Sequence, residues 1–363
     1  AETPLENLAS SSPAASITSV DTTTLIGKVM VGYNGWYNAE GDGGNRGWIH
    51  WTKDKTKPIN SDNVGVELFP DLSEFSEQER YSTSLVKPDG KPVEIYSSLN
   101  EATVRRHFKW MRDYRIDGAF IKRFALDLQH PHSTRHTNTV LSNARKSAPE
   151  SGRAYAIMYV LNGLSADKID MVIDDWGRLG QIERITDDPA YLKHEGKPVV
   201  AIKGVGIEGQ KYSLAECQKL VSFLKEQGCT VMIGTAADWL EGRGDAKEDA
   251  ARLALLEQAD VISPDTIGKY SHPRQVRREG QYTWASEKAW CDDRGIDYLP
   301  VIYPGYSRGS LAEEKKNLVP RRHGKLLWAQ FQSAKNAGCE MAYIATFDGM
   351  HNGTAIFKFD QTA

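Results

Sequence analysis

Side chains able to do chemistry recur in short clusters, each placed within or directly after an apolar run. Tyr33, Asn34, Trp36 and Tyr37 follow VMVG; Lys122 and Arg123 close GAFIKRF, with Asp127 just beyond. Tyr159 and Asn162 end AYAIMYVL, Lys203 lies in PVVAIKGVG, and Asp238 and Trp239 follow TVMIGTA. Asp265 follows ADVISP, while Tyr303, Tyr306 and Arg308 accompany YLPVIYPGY. Phe347, Asp348, Met350, His351 and Asn352 follow MAYIAT. Rings, carboxylates and amides in this mixture suit a glycan cleft: aromatic faces stack on the apolar face of a pyranose, and polar groups bind its hydroxyls. Cleavage of a glycosidic bond ordinarily needs two carboxyls flanking it. Asp348 and Asp127 are the first candidates, with His351 as a proton shuttle. Tyr33, Asn34, Trp36, Arg123, Tyr159, Asp238, Trp239, Tyr303 and Asn352 are the candidates for holding substrate.

Each candidate has a plainer explanation. Tyr159 and Tyr303 can fill core layers, and Asp265, after a Pro, can cap a turn. Lys122 and Arg123 are neighbours in a strand, so only one can face the centre. The three histidines of HPHSTRH (residues 130–136) have no carboxylate or Cys nearby to complete a ligand set, and no metal is expected. No GxGxxG or GxxxxGK[ST] follows the first run, so no nucleotide cofactor is expected.

The elements that must position these groups alternate regularly. Eight apolar runs begin at Val29, Gly118, Ala154, Pro198, Thr230, Ala259, Tyr298 and Met341. Each is nearly continuous, as expected for parallel strands buried on both faces. Amphipathic stretches such as EATVRRHFKWMRDY, SLAECQKLVSFLKEQG and GKLLWAQFQSAKNAG lie between them, several ending in Gly; Ser165 and Ser213 are expected N-caps. This predicts an α/β chain folded as one (β/α)8 TIM barrel over residues 24–363, behind a flexible segment 1–23. A doubly wound open sheet is the alternative. Residues 38–100 form a long insertion after the first strand, and the chain leaves no room for a full eighth helix, so the last helix is expected to be incomplete. The active site of such a barrel lies at the C-terminal strand ends, where the clusters sit.

Composition excludes other classes. No run approaches the ~18 apolar residues of a membrane span, and a net charge of −3 over 363 residues gives no footprint for nucleic acid. Nine Trp and fifteen Tyr, many beside Gly, Asn and Asp, favour an oligosaccharide or polysaccharide partner. Cys217, Cys229, Cys291 and Cys339 fit no zinc spacing; one or two disulfides and four buried thiols are equal expectations. The Ala-, Ser-, Thr- and Pro-rich start resembles that of a mature exported chain, giving a secreted or periplasmic expectation.

The stretch YIATFDGMHNGTAIFK resembles the end of the catalytic barrel in glycoside hydrolase families 99 and 71 and their bacterial 71/99-like relatives. In family 99, which contains endo-α-mannosidases, the motif reads F-N-E-W-H-E-G-T, and Phe347, His351, Gly353 and Thr354 match it in register. GYNGWYNAEGDG, HFKWMRDYRIDGAFIKRF, DDPAYLKHEGKPVVAIKGVG and DYLPVIYPGYS are similar to the bacterial relatives, so the likeness runs from about Val29 to Lys358. The resemblance implies a glycan-active barrel. It also implies a departure: the family's two essential glutamates fall at Gly349 and Asn352, and Asp348 takes the place of the motif's Asn. Three readings follow: a hydrolase with a relocated pair drawn from Asp348, Asp127, Asp238 and Asp265; a carbohydrate-binding pseudo-enzyme; or a chain carrying inactivating substitutions.

Overall fold

The computed structural model describes residues 18–244, 250–307 and 319–360; Arg308 and most of the segment 1–23 lie outside them. Eight parallel strand positions form a ring: β1 (Val29–Tyr33), β2 (Gly118–Phe124), β3 (Ala154–Val160), β4 (Lys197–Lys203), β5 (Thr230–Ala236), β6 (Val261–Asp265), β7 in two pieces (Asp297–Tyr298 and Val301–Ile302) and β8 (Ala342–Ile344). Each pairs in parallel with its chain neighbours, and β8 returns to β1 through Val29↔Ala342 and Val31↔Ile344. The break in β7 falls at Pro300, which has no N–H to give a ladder. Its first piece pairs with β6 and its second with β8, so the ring still closes. The architecture is the (β/α)8 barrel that the alternation predicts.

Helices α1 (Glu101–Asp113), α2 (Pro131–Glu150), α3 (Ile169–Gly177), α4 (Leu214–Glu226), α5 (Ala250–Leu256), α6 (Gln281–Asp292) and α7 (Lys325–Asn336) occupy the seven connections. Ser213 opens α4 with a capping box, accepting from Ala215 N at 3.1 Å while Glu216 accepts from its own N–H at 2.7 Å. Ser165 instead precedes a short 3-10 turn, Ala166–Lys168, ahead of α3. Gly228 and Gly338 end α4 and α7 at positive φ, where only glycine avoids a Cβ penalty. After β8 the described chain continues without an eighth helix, and Phe359–Asp360 pairs antiparallel with Phe69–Pro70 of the insertion.

The insertion carries structure of its own, including the hairpin Tyr81–Val86/Pro92–Ile95. Tyr37, Trp51 and Tyr96 form its buried aromatic core, with Trp51 Nε1 donating to Tyr96 O at 3.2 Å. The end of the N-terminal segment is tied to the barrel base, since Val20 N bonds Gly152 O and Lys193 N bonds Thr22 O. All four cysteines are free thiols; burial pushes each up to about 12, so they are inert core residues. Among the described residues no helix is long and apolar enough to cross a membrane.

Glu287, on α6, is buried and accepts a hydrogen bond from Tyr298 Oη. Burial pushes its carboxyl up to about 8. Between the unfolded value near 4.5 and this one, the unfolded chain releases a proton that the native chain keeps. Stability therefore falls as pH rises through that window and levels off above it. Glu287→Gln should flatten the dependence, with a gain on the order of 4 kcal/mol at pH 9 over pH 4.5. Denaturant melts of both proteins across this range check it.

Candidate active site at the C-terminal strand ends

Strand alternation sorts the candidates into two sets. On β2, Lys122 points into the barrel and Arg123 toward the helices. Arg123 binds Asp175 of α3 through two bonds of 2.7 and 2.6 Å and Asn138 of α2 at 3.0 Å, while Tyr159 Oη donates to Asp175 at 2.8 Å. Burial alone would raise the Asp175 pKa, but Arg123 holds it below its ordinary value. Tyr33 Oη meets His107 Nδ1 of α1 at 2.8 Å. Trp239 packs edge-on against Trp290 of α6, 5.0 Å between ring centroids. Tyr303 Oη donates to Tyr270 O at 2.8 Å and accepts from Tyr270 N at 2.6 Å. Tyr33, Arg123, Tyr159, Trp239 and Tyr303 thus lie in the shell between strands and helices, contrary to the expectation that they line the cleft. Long side chains on the outward parity of a buried strand have only that layer to fill.

Asp348 is placed differently again. Its side chain is fully buried, with Oδ1 accepting from Asn34 N and Oδ2 from Gly35 N, both at 2.8 Å. Burial pushes its pKa up, opposed by the two amides and by the positive charge of Lys122. It joins the ends of β8 and β1 and offers no exposed oxygen to a substrate. The expectation that Asp348 is a catalytic carboxyl is therefore corrected: it is a strap.

The inward parity supplies the polar groups. Lys122 Nζ donates to Asn34 Oδ1 at 3.0 Å, and Lys203 pairs with Asp265 at 2.7 Å. Burial and the neighbouring Lys203 push Lys122 well below the ordinary lysine range. Burial would raise Asp265, but Lys203 holds it below the usual carboxylate value. Gly32 is glycine because a Cβ there would overlap the Tyr343 hydroxyl and crowd the Lys122 stem.

Above this cluster stands an aromatic wall. Trp36 stacks on His50 of the insertion at 3.9 Å and on Phe124 at 4.8 Å, and His351 meets it edge-on at 4.9 Å. Burial, with Lys122 nearby, lowers His351 to about 4, so it is neutral at neutral pH. Asp127 sits in the 3-10 turn after β2, half-buried, 3.7 Å from Arg46; burial raises its pKa, an effect Arg46 opposes. Asp238 pairs with Lys269 at 2.7 Å. The structure thus brings together Asn34, Trp36, His351 and, from outside the first-choice catalytic and substrate-holding candidates, Lys122, Lys203, Asp265 and His50. Strand parity could have found the first two of these; only the folded insertion delivers His50.

Of the two positions where the related motif carries glutamate, residue 349 is closed. A Cβ on Gly349 would overlap the hydroxyl oxygens of Thr346 and Thr354. Those hydroxyls bond each other at 2.9 Å, and Thr354 Oγ1 donates to Asn352 Oδ1 at 2.8 Å. A carboxylate side chain at residue 349 has no room, so the departure is built into the packing.

No family profile matches the chain, and no curated protein does. Solved structures share the fold. The GH99 endo-α-mannosidase from Bacteroides thetaiotaomicron superposes with a TM-score of 0.61 at 16% identity, covering 93% of this chain and 89% of that one. A glycoside hydrolase-like protein gives 0.53 at 12% identity over 86% and 92% of the two chains. The likeness falls on the same barrel type as the resemblance at the β8 end, and at these identities it is a likeness of fold.

Two substitutions test the placement. Arg123→Met leaves buried Asp175 with Tyr159 and the half-buried Arg178 as its remaining partners and should cost about 3–5 kcal/mol in denaturant unfolding, with ligand affinity unchanged in the folded fraction. Gly349→Glu should destabilise by overpacking, on the order of 1–3 kcal/mol, and bring no new hydrolytic activity in a reducing-end assay.

Proposed function

We propose that this chain is a carbohydrate-active protein that holds a glycan across the C-terminal mouth of the barrel and hydrolyses it with a relocated carboxyl pair. The observation that carries this reading is the Trp36 wall, Trp36 with His50, Phe124 and His351, standing beside the Lys122, Lys203 and Asp265 cluster. A sugar ring packed against the free edge of this aromatic stack turns its hydroxyls toward groups able to donate and accept hydrogen bonds. Asp265, kept ionised by Lys203, takes the nucleophile or base role. Asp127, whose pKa burial raises, takes the acid role. His351, neutral and next to Trp36, is a proton relay between sugar and solvent. Such a glycan substrate is met outside the cytosol, in keeping with an exported chain.

The closed packing around Gly349 favours a second reading, in which the cleft binds glycan without cleaving it. Calorimetry and product analysis over an oligosaccharide panel separate the two. Trp36→Ala should weaken the best ligand about tenfold or more, roughly 1.4 kcal/mol. Asp265→Asn and Asp127→Asn should each remove reducing-end release while leaving binding. Binding with no release by the wild-type chain over days selects the binding reading, and a ligand indifferent to Trp36→Ala overturns both.

A further inference from the structure

A groove of about 920 Å³ opens at the opposite, N-terminal end of the barrel, between α7 and the starts of β1 and β8. In a complete ring an eighth helix would pack against this side of α7. Trp328 stands on its wall with 63% of its surface exposed, and Phe331 lies one helical turn further along the same face. Ser333 lies fully buried behind the groove wall. Lys28 is 7% exposed and, among the described residues, has no carboxylate within ion-pair distance; Asp21 feels its charge only at longer range. Arg277 and Lys335 stand exposed at the rim, also without carboxylate partners among the described residues, where Glu340 is the one acid lining the groove.

From these groups we infer a second binding site, distinct from the mouth, for an acidic oligosaccharide such as a uronate-bearing chain segment. The charge sets the sign of the ligand: among the described residues three cations without an ion-pair partner face one carboxylate, so the groove favours an anion. Trp328 supplies a stacking face. A second copy of the chain laying an apolar surface on Trp328 and Phe331 would leave the three cations without an anion, so it fits less well. A single-stranded nucleic acid shares the preference for rings and cations; the choice of glycan over it rests on the carbohydrate reading of the mouth.

The test uses the full chain with tetragalacturonate and neutral galactotetraose as probes, followed by calorimetry at two salt concentrations. Tetragalacturonate should bind saturably, more weakly at high salt, and at least tenfold more tightly than galactotetraose. Trp328→Ala and the double change Arg277→Glu/Lys335→Glu should each weaken it at least tenfold with unchanged melting temperature; these side chains are exposed, so folding is not at stake. Trp36→Ala should leave this affinity unchanged, which separates the groove from the mouth: a failed mouth reading shows in Trp36→Ala and the product assay, a failed groove in Trp328→Ala. The inference is overturned if tetragalacturonate does not bind, or binds indifferently to the Trp328 and rim variants. Tighter binding of an oligothymidylate at the same residues, or a change of sedimentation mass with Trp328→Ala, would also overturn it.

Discussion

The Asp348 carboxylate, held by the backbone amides of Asn34 and Gly35, is the constraint on which the mouth of the barrel depends. A buried carboxylate must find donors, and here the two donors belong to the first residues past β1. The bond ends β1 as a strand at Tyr33 and turns the following chain across the barrel top. That turn aims the Asn34 side chain at Lys122 and sends Trp36 outward against Phe124. It is reinforced from the other side, where His136 Nε2 lies 2.8 Å from Gly35 O. One interaction between the loops that leave the first and last strands thus fixes the mouth and positions the aromatic wall.

Much of this was legible in the sequence, and the reasons are physical. Strands buried on both faces must be apolar along their length, so the eight runs stood out. Parity was not legible for the same reason. When both faces are buried, composition does not say which alternate residues face the axis. Arg123 looked like the more useful binding group, yet its bidentate fit to Asp175 of α3 depends on a helix 52 residues further along the chain. Lys122, its neighbour, took the interior. Gly32 carried a signal, since a glycine on the inward parity marks where Tyr343 and Lys122 converge.

The resemblance at the β8 end behaves in the same way. Phe347, His351, Gly353 and Thr354 keep the shape of the loop, and the structure accounts for that shape through Thr354 N bonding Gly349 O and Ile356 N bonding Phe347 O. What the motif omits is also explained by shape. Thr346, Asn352 and Thr354 close over Gly349 with their own hydrogen bonds, so the loop is satisfied without carboxylates.

With Asp348 committed to the backbone and Gly349 packed shut, β8 has no carboxyl left for proton transfer. Acid–base chemistry at this mouth then has to come from β2, β4 and β6. There the charges are already arranged in opposition: Lys203 keeps Asp265 ionised, while burial favours the protonated form of Asp127. Lys122 stands near the Lys203–Asp265 pair and close enough to His351 to depress its pKa, and bonds no carboxylate. Under the proposed hydrolase reading, a glycan packed against the Trp36 stack presents its scissile bond toward β6, where Asp265 lies, and not toward β8.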